Sequence, residues 1–153
     1  MRKQLIKGFT MLLGIMTLAM VTAVASANGQ SLTSKANVPF EFIVGDQNLP
    51  AGAYTVSAVT SGGEALCISG RGSKDSVMRL TIPASGKANH SKLVFHRYGQ
   101  RYFLAEVWST STDGRELTKS RQEQAIQKEL SRIASNKPAA RAYETVEIAL
   151  AGR

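Results

Sequence analysis

"SKLVFHRYGQRYFLAEVWS", Ser91 to Ser109, decides the fold. Two runs rich in aromatic and branched side chains flank Gly99-Gln100, a two-residue connection whose leading glycine accepts the left-handed backbone angle that tight hairpin turns demand. The register that follows sets Tyr98 against Arg101, His96 against Phe103, Phe95 against Leu104 and Leu93 against Glu106. On that register Glu106 shares a face with Leu93, Phe95, Tyr102, Leu104 and Trp108, so a carboxylate is expected among apolar side chains. A buried charge is costly unless paired. Its structural role is a salt bridge or hydrogen bond, with Arg97 or a residue of a downstream helix as partner; its functional role is a polar handle inside a ligand cavity. The opposite face, Val94, His96, Tyr98, Phe103 and Val107, is apolar enough to expect cover on both sides, one of them by the helix.

The same alternation extends upstream. In "VPFEFIVG" Val38, Phe40, Phe42 and Val44 fall on one side and Glu41 on the other, with Pro39 marking a strand start or edge. "GDQNLPAG" reads as the connection to "AYTVSAV", which turns Tyr54, Val56 and Ala58 inward. "EALCISG" offers Leu66 and Ile68 to the core, and "SVMRLTIP" offers Met78, Leu80 and Ile82 with Arg79 and Thr81 outward. Downstream, "TSTDG" breaks the sheet. Ser120-Arg121-Gln122-Glu123 spells a capping box, and Ile126, Leu130 and Ile133 recur at helical spacing until Lys137-Pro138 ends the helix near Asn136. "AYETVEIALAG" then returns as a strand with Val146, Ile148 and Leu150 inward. The expected fold is mainly β: about seven strands in an antiparallel meander, a small β-barrel or a β-sandwich, with one C-terminal amphipathic helix before the last strand. That strand could pair with the first and hide the sheet's edges.

The N-terminus, "MRKQLIKGFTMLLGIMTLAMVTAVASA", has the charged start, apolar run and small-x-small ending of a secretory signal peptide at residues 1–27; an uncleaved membrane anchor is the alternative. Residues 28–36 read as a flexible linker and 37–153 as a single β-rich domain. Removing 27 of the 153 residues leaves 126, one ordinary domain, and taking Arg2, Lys3 and Lys7 from the net charge of +8 leaves +5. Those charges are scattered instead of forming the basic stripe interleaved with aromatics that nucleic-acid binding uses, so no nucleic-acid partner is expected. Membrane contact is expected only through the transient leader. The one cysteine, Cys67, cannot close an internal disulfide, and it reads as a small strand residue.

"VPFEFIVGDQNLPAGAYTV", "SKLVFHRYGQRYFLAEVW" and "GRELTKSRQEQ" together resemble a family of small secreted proteins of uncharacterised function from Gram-negative soil bacteria. The resemblance implies an exported β-rich domain and brings no catalytic residues with it.

No chemistry-bearing motif stands out. Asp46, Gln47 and Asn48 are too few oxygen donors for a calcium loop, and His90 and His96 lack the spaced partners of a zinc set. No Gly-x-Ser-x-Gly elbow occurs, and "GRGSK" lacks the spacing of a phosphate-binding loop. No cofactor or metal is expected. The expected function is a non-catalytic secreted domain, periplasmic or extracellular, that binds an envelope glycan, a small ligand or a protein partner through the hairpin "HRYGQRY". Arg97, Tyr98, Arg101 and Tyr102 there combine aromatic faces with guanidinium donors, and Glu106 is the fifth candidate binding residue. Assembly through an exposed strand edge and a small hydrolase are the alternatives.

Overall fold

The computed structural model describes residues 33–72, 75–134 and 143–151. The expected leader, most of the expected linker and the expected helix end at Asn136 to Pro138 lie outside those residues.

Among these residues ten strands and one helix follow in chain order: β1 Thr33–Val38, β2 Phe42–Val44, β3 Gln47–Leu49, β4 Gly52–Ala58, β5 Ala65–Gly70, β6 Ser76–Pro83, β7 Lys92–Tyr98, β8 Arg101–Trp108, β9 Gly114–Leu117, α1 Arg121–Ala134 and β10 Glu144–Ala149. They form one mixed sheet in the order β1-β4-β5-β6-β9-β8-β2-β3, with β7 on the other side of β8 and β10 beyond β7. The sheet is not closed. β10 pairs with β7 over its whole length, and the chain after it meets β1 only at the bridge Lys35 to Ala151, where the Ala151 N–H donates to the Lys35 carbonyl at 2.8 Å.

The meander differs from expectation at four places. The sheet begins at Thr33, not at Asn37: β1 pairs antiparallel with β4 from Thr33↔Ser57 to Val38↔Gly52. The long first strand is broken after Val38, because Pro39 has no N–H to give a ladder; β2 restarts at Phe42 beside a different neighbour, β8, which it meets in parallel at Ile43↔Phe103. The supposed loop "GDQNL" is a hairpin, Gly45 at φ 63° turning β2 into β3 so that Val44 opposes Gln47 and Ile43 opposes Asn48. A short β9 follows the "TSTDG" break and fills the gap between β6 and β8. Its first residue must be small: Gly114 lies against the Trp108 ring, 2.6 Å from where a Cβ would sit.

Inward faces come from the alternating positions of β1, β2, β4 and β5: Val38, Phe42, Val44, Tyr54, Val56 and Ile68 are all buried. Phe95 is 0 % exposed and meets the rings of Phe40 and Phe42 edge-on at 5.3 and 5.4 Å. Leu150 joins this core, and Val146 and Ile148 pack against it, as the last strand's alternation requires.

Strand β6 is reversed relative to expectation. Met78, Leu80 and Ile82 are 61 %, 73 % and 55 % exposed, while Val77 and Thr81 are buried. The partner strand decides this: Val77 opposes Ile68 and Arg79 opposes Leu66, both inward residues of β5, and one residue of register exchanges every side chain between faces. The inward polar groups are accommodated, with the Thr81 hydroxyl donating to the Gly63 carbonyl at 2.6 Å and the Arg79 guanidinium lying over Gly45, which has no side chain to obstruct it. On the outer face, exposed Val59 and Leu80 flank the buried Ala65 in one cross-strand row, and Ser57, Cys67 and Met78 form the next. Replacing Leu80 by lysine therefore changes unfolding free energy by less than about 0.5 kcal/mol, as an exposed site allows; an inward Leu80 would lose several times that. Urea denaturation of the two proteins separates the cases.

Candidate functional site

The central hairpin keeps its expected register only as far as Phe95↔Leu104. There the ladder shifts: Val94 opposes Glu106 and Leu93 opposes Val107, which leaves Ala105 as an extra residue on β8. A bulge of this kind moves every later side chain to the other face. Glu106 and Trp108 consequently leave the face of Leu93 and Phe95. Trp108 packs with Val94 and Ala88 in a small separate cluster, and its indole N–H donates to Glu106 Oε2 at 2.7 Å. Glu106 is half-buried and sits directly opposite Glu116 of β9. Its carboxylate orients a tryptophan and does not line the main core.

The other four hairpin candidates also divide. Arg97 is turned along the hairpin, Nε donating to the Gly99 carbonyl at 2.8 Å and Nη1 to Glu144 at 3.2 Å, with its guanidinium 5.5 Å from the centre of the Tyr102 ring. Tyr98 is buried and donates its hydroxyl to Glu123 Oε1 at 3.3 Å. The same oxygen lies 2.9 Å from His96 Nδ1. The His96 ring rests on Tyr143, centroids 3.9 Å apart. Glu123 comes from the first turn of α1 and is 3 % exposed. Half of the expected capping box is therefore present: the Glu123 N–H donates to Ser120 Oγ at 3.0 Å, but the Glu123 carboxylate serves the sheet and not the Ser120 amide. Farther along α1, Ile126 and Leu130 are half-buried and Ile133 is 71 % exposed.

Burial, and then the Glu123 charge and hydrogen bond, hold the Tyr98 phenol well above its ordinary value of 10.0; burial raises Tyr54 in the same direction. A phenol whose folded value is raised contributes stability that is complete below pH 10 and declines above it, by up to about 1.4 kcal/mol per pH unit for each such group. Unfolding free energy measured from pH 9 to 11.5 should fall beyond pH 10, and Tyr98→Phe should fall less steeply; parallel curves would contradict the assignment.

Arg101 and Tyr102 are the candidates that reach a cleft. Its volume is about 450 Å³, within the range of small-ligand sites, and Glu41, Ile43, Asp46, Asn48, Gln100 and Gln122 complete the wall. The fold explains the gathering. Bridge Ile43↔Phe103 sets the β2–β3 hairpin beside the start of β8, the Gly45 turn brings Asp46 round, and the buried Glu123 anchor presents its neighbour Gln122. Asn48 Nδ2 donates to Glu41 Oε1, fixing that carboxylate. Tyr102 stacks on Phe40 at 4.0 Å with ring planes 18° apart, so one of its faces is occupied within the protein. Glu41, Asp46, Asn48 and Gln122 escaped the sequence reading. The alternation of "FIVGDQNL" about Gly45-Asp46 marks a hairpin and could have found Asp46 and Asn48; Glu41 and Gln122 carry no such signal.

Among the described residues no group of three or more His, Cys, Asp or Glu is placed to hold a metal ion. No described helix is long and apolar enough to cross a membrane. Cys67 is half-buried with Sγ 3.2 Å from Ser76 Oγ. The chain matches no protein-family model, no curated protein and no solved structure.

Proposed function

We propose that this is an exported, non-catalytic β-domain that holds a small polar ligand in the cleft between the β2–β3 and β7–β8 hairpins. The observation that carries the reading is the convergence there of two carboxylates, a guanidinium and three side-chain amides on strands and turns fixed by the sheet. Such groups fix a ligand's orientation by hydrogen bonds. Export rests on the charged start, apolar run and Ala25-Ser26-Ala27 of the N-terminus. The sheet is read further as an incipient small barrel, a reading supported by the Lys35 to Ala151 bridge between β1 and the chain just after β10.

A panel of polar metabolites and soluble envelope glycans, titrated into labelled protein and followed by backbone amide shifts, tests the proposal. Binding should perturb Asp46, Asn48, Arg101 and Gln122, and Asn48→Ala with Arg101→Ala should abolish it. Shifts confined to another region, or turnover of any compound that survives repurification, would overturn it.

Self-association is a second reading, favoured by the uncharged outer rows Val59-Ala65-Leu80 and Ser57-Cys67-Met78, which two copies can bring together without burying charge. Sedimentation decides it: Leu80→Lys should dissociate a dimer, and a wild-type protein that stays monomeric at high concentration dismisses the idea.

A further inference from the structure

Two charges in the cleft are of opposite sign and unsatisfied. Arg101, at the start of β8, and Asp46, in the β2–β3 turn, line the same space. Among the described residues neither side chain has a hydrogen-bond or ion-pair partner, and the two do not pair with each other. The other acid, Glu41, is held by Asn48 and keeps acceptor capacity on its second oxygen. Gln100 and Gln122 add neutral donors and acceptors, and Ile43 supplies an apolar contact. Tyr102 has one ring face on Phe40, so the broad aromatic platform that a neutral sugar ring would use is partly taken up.

From this arrangement, and resting on the reading of the cleft as a ligand site, we infer that its ligand is a small zwitterion carrying both a carboxylate and an ammonium group, of the class of free α-amino acids. Arg101 receives the carboxylate through paired N–H donors, the geometry in which guanidinium exceeds ammonium as a partner. Asp46 and the free oxygen of Glu41 receive the ammonium, whose three hydrogens can serve both. The amides engage the side chain. A ligand bearing one charge leaves either the guanidinium or the acids unanswered; a neutral polyol leaves both. Because these groups are solvent-exposed, screening keeps each contact weak, and a Kd on the order of 1 mM is expected at low salt.

The test uses the mature protein at pH 7 and four probes: L-glutamine, N-acetyl-L-glutamine without the ammonium, L-glutaminamide without the carboxylate, and maltose as a neutral polyol. Backbone amide shifts report the binding site and affinity. L-Glutamine should titrate Asp46, Asn48 and Arg101, and each singly charged derivative should bind about tenfold or more weakly. Arg101→Ala should erase the preference for glutamine over glutaminamide and leave that over N-acetylglutamine. Asp46→Asn should narrow the preference over N-acetylglutamine, with Glu41 still holding the ammonium, and leave that over glutaminamide. Both positions are exposed, and unchanged shifts elsewhere verify the fold. If the derivatives bind as well as glutamine, or maltose perturbs these residues and glutamine does not, the zwitterion inference fails while the cleft remains a binding site. If no probe from this set or from the wider panel perturbs the cleft, the binding reading fails with it.

Discussion

Replacing Phe95 by alanine should lower the unfolding free energy by about 3–5 kcal/mol, the loss typical of truncating a fully buried aromatic side chain. Phe95 is 0 % exposed, opposes Leu104 and Val146 in the ladder, and meets two further rings edge-on. Its removal takes away transfer energy and ring contacts and leaves a cavity bordered by several strands, which cannot collapse without moving all of them. With native stability commonly about 5–15 kcal/mol, that loss is a large share of the total and should move the urea midpoint well below that of the wild type. Trp108, the one tryptophan, reports urea unfolding directly. Phe95→Leu, which keeps most of the volume, should cost about 1–1.5 kcal/mol. An alanine variant within 1 kcal/mol of the wild type would show that Phe95 is not at the centre of the core.

Glu123→Ala should follow at about 2–4 kcal/mol. One buried carboxylate oxygen accepts from the Tyr98 hydroxyl and lies in hydrogen-bond contact with His96. Deleting it leaves both groups without that partner in a largely desolvated place, and an unsatisfied buried donor costs about 1–3 kcal/mol. Because Glu123 ties the first turn of α1 to the hairpin, the loss should also be local. Amide exchange in Arg121–Ala134 should accelerate more than exchange in β7 and β8. Glu123→Gln retains an acceptor and should recover about half the deficit. If alanine costs under 1 kcal/mol and helix exchange is unchanged, α1 is held by other contacts.

Where local chemistry decides conformation, the sequence was legible. Gly99-Gln100 specifies a turn that holds three of the four cross-strand pairs read from it. The inward faces of β4 and β5, the Ser120 cap, and the last strand's alternation also match the structure. Each of these depends on spacing within a single segment. What escaped depends on contacts between segments. Nothing in "FLAEVW" marks Ala105 as the bulged residue, yet that residue carries Glu106 and Trp108 to the other face. "SVMRLTIP" has apolar residues in both alternations, and the choice between Val77 and Met78 for the interior belongs to the pairing with β5. β9 is four residues long, too short to announce itself by periodicity. The cleft was half legible: Arg101 and Tyr102 came from the hairpin, while Glu41, Asp46, Asn48 and Gln122 arrive through the β2 to β8 bridge and the helix anchor, neither of which has a local signature.

The proposed site exists only if the β2–β3 hairpin lies alongside β8 in parallel, joined at Ile43 and Phe103. Nuclear Overhauser contacts in the uniformly labelled protein measure this directly. The account predicts cross-strand backbone contacts between Ile43 and the residues flanking Phe103, with ring contacts between Phe40 and Tyr102. Contacts placing Ile43 beside another strand, with none to β8, would contradict it.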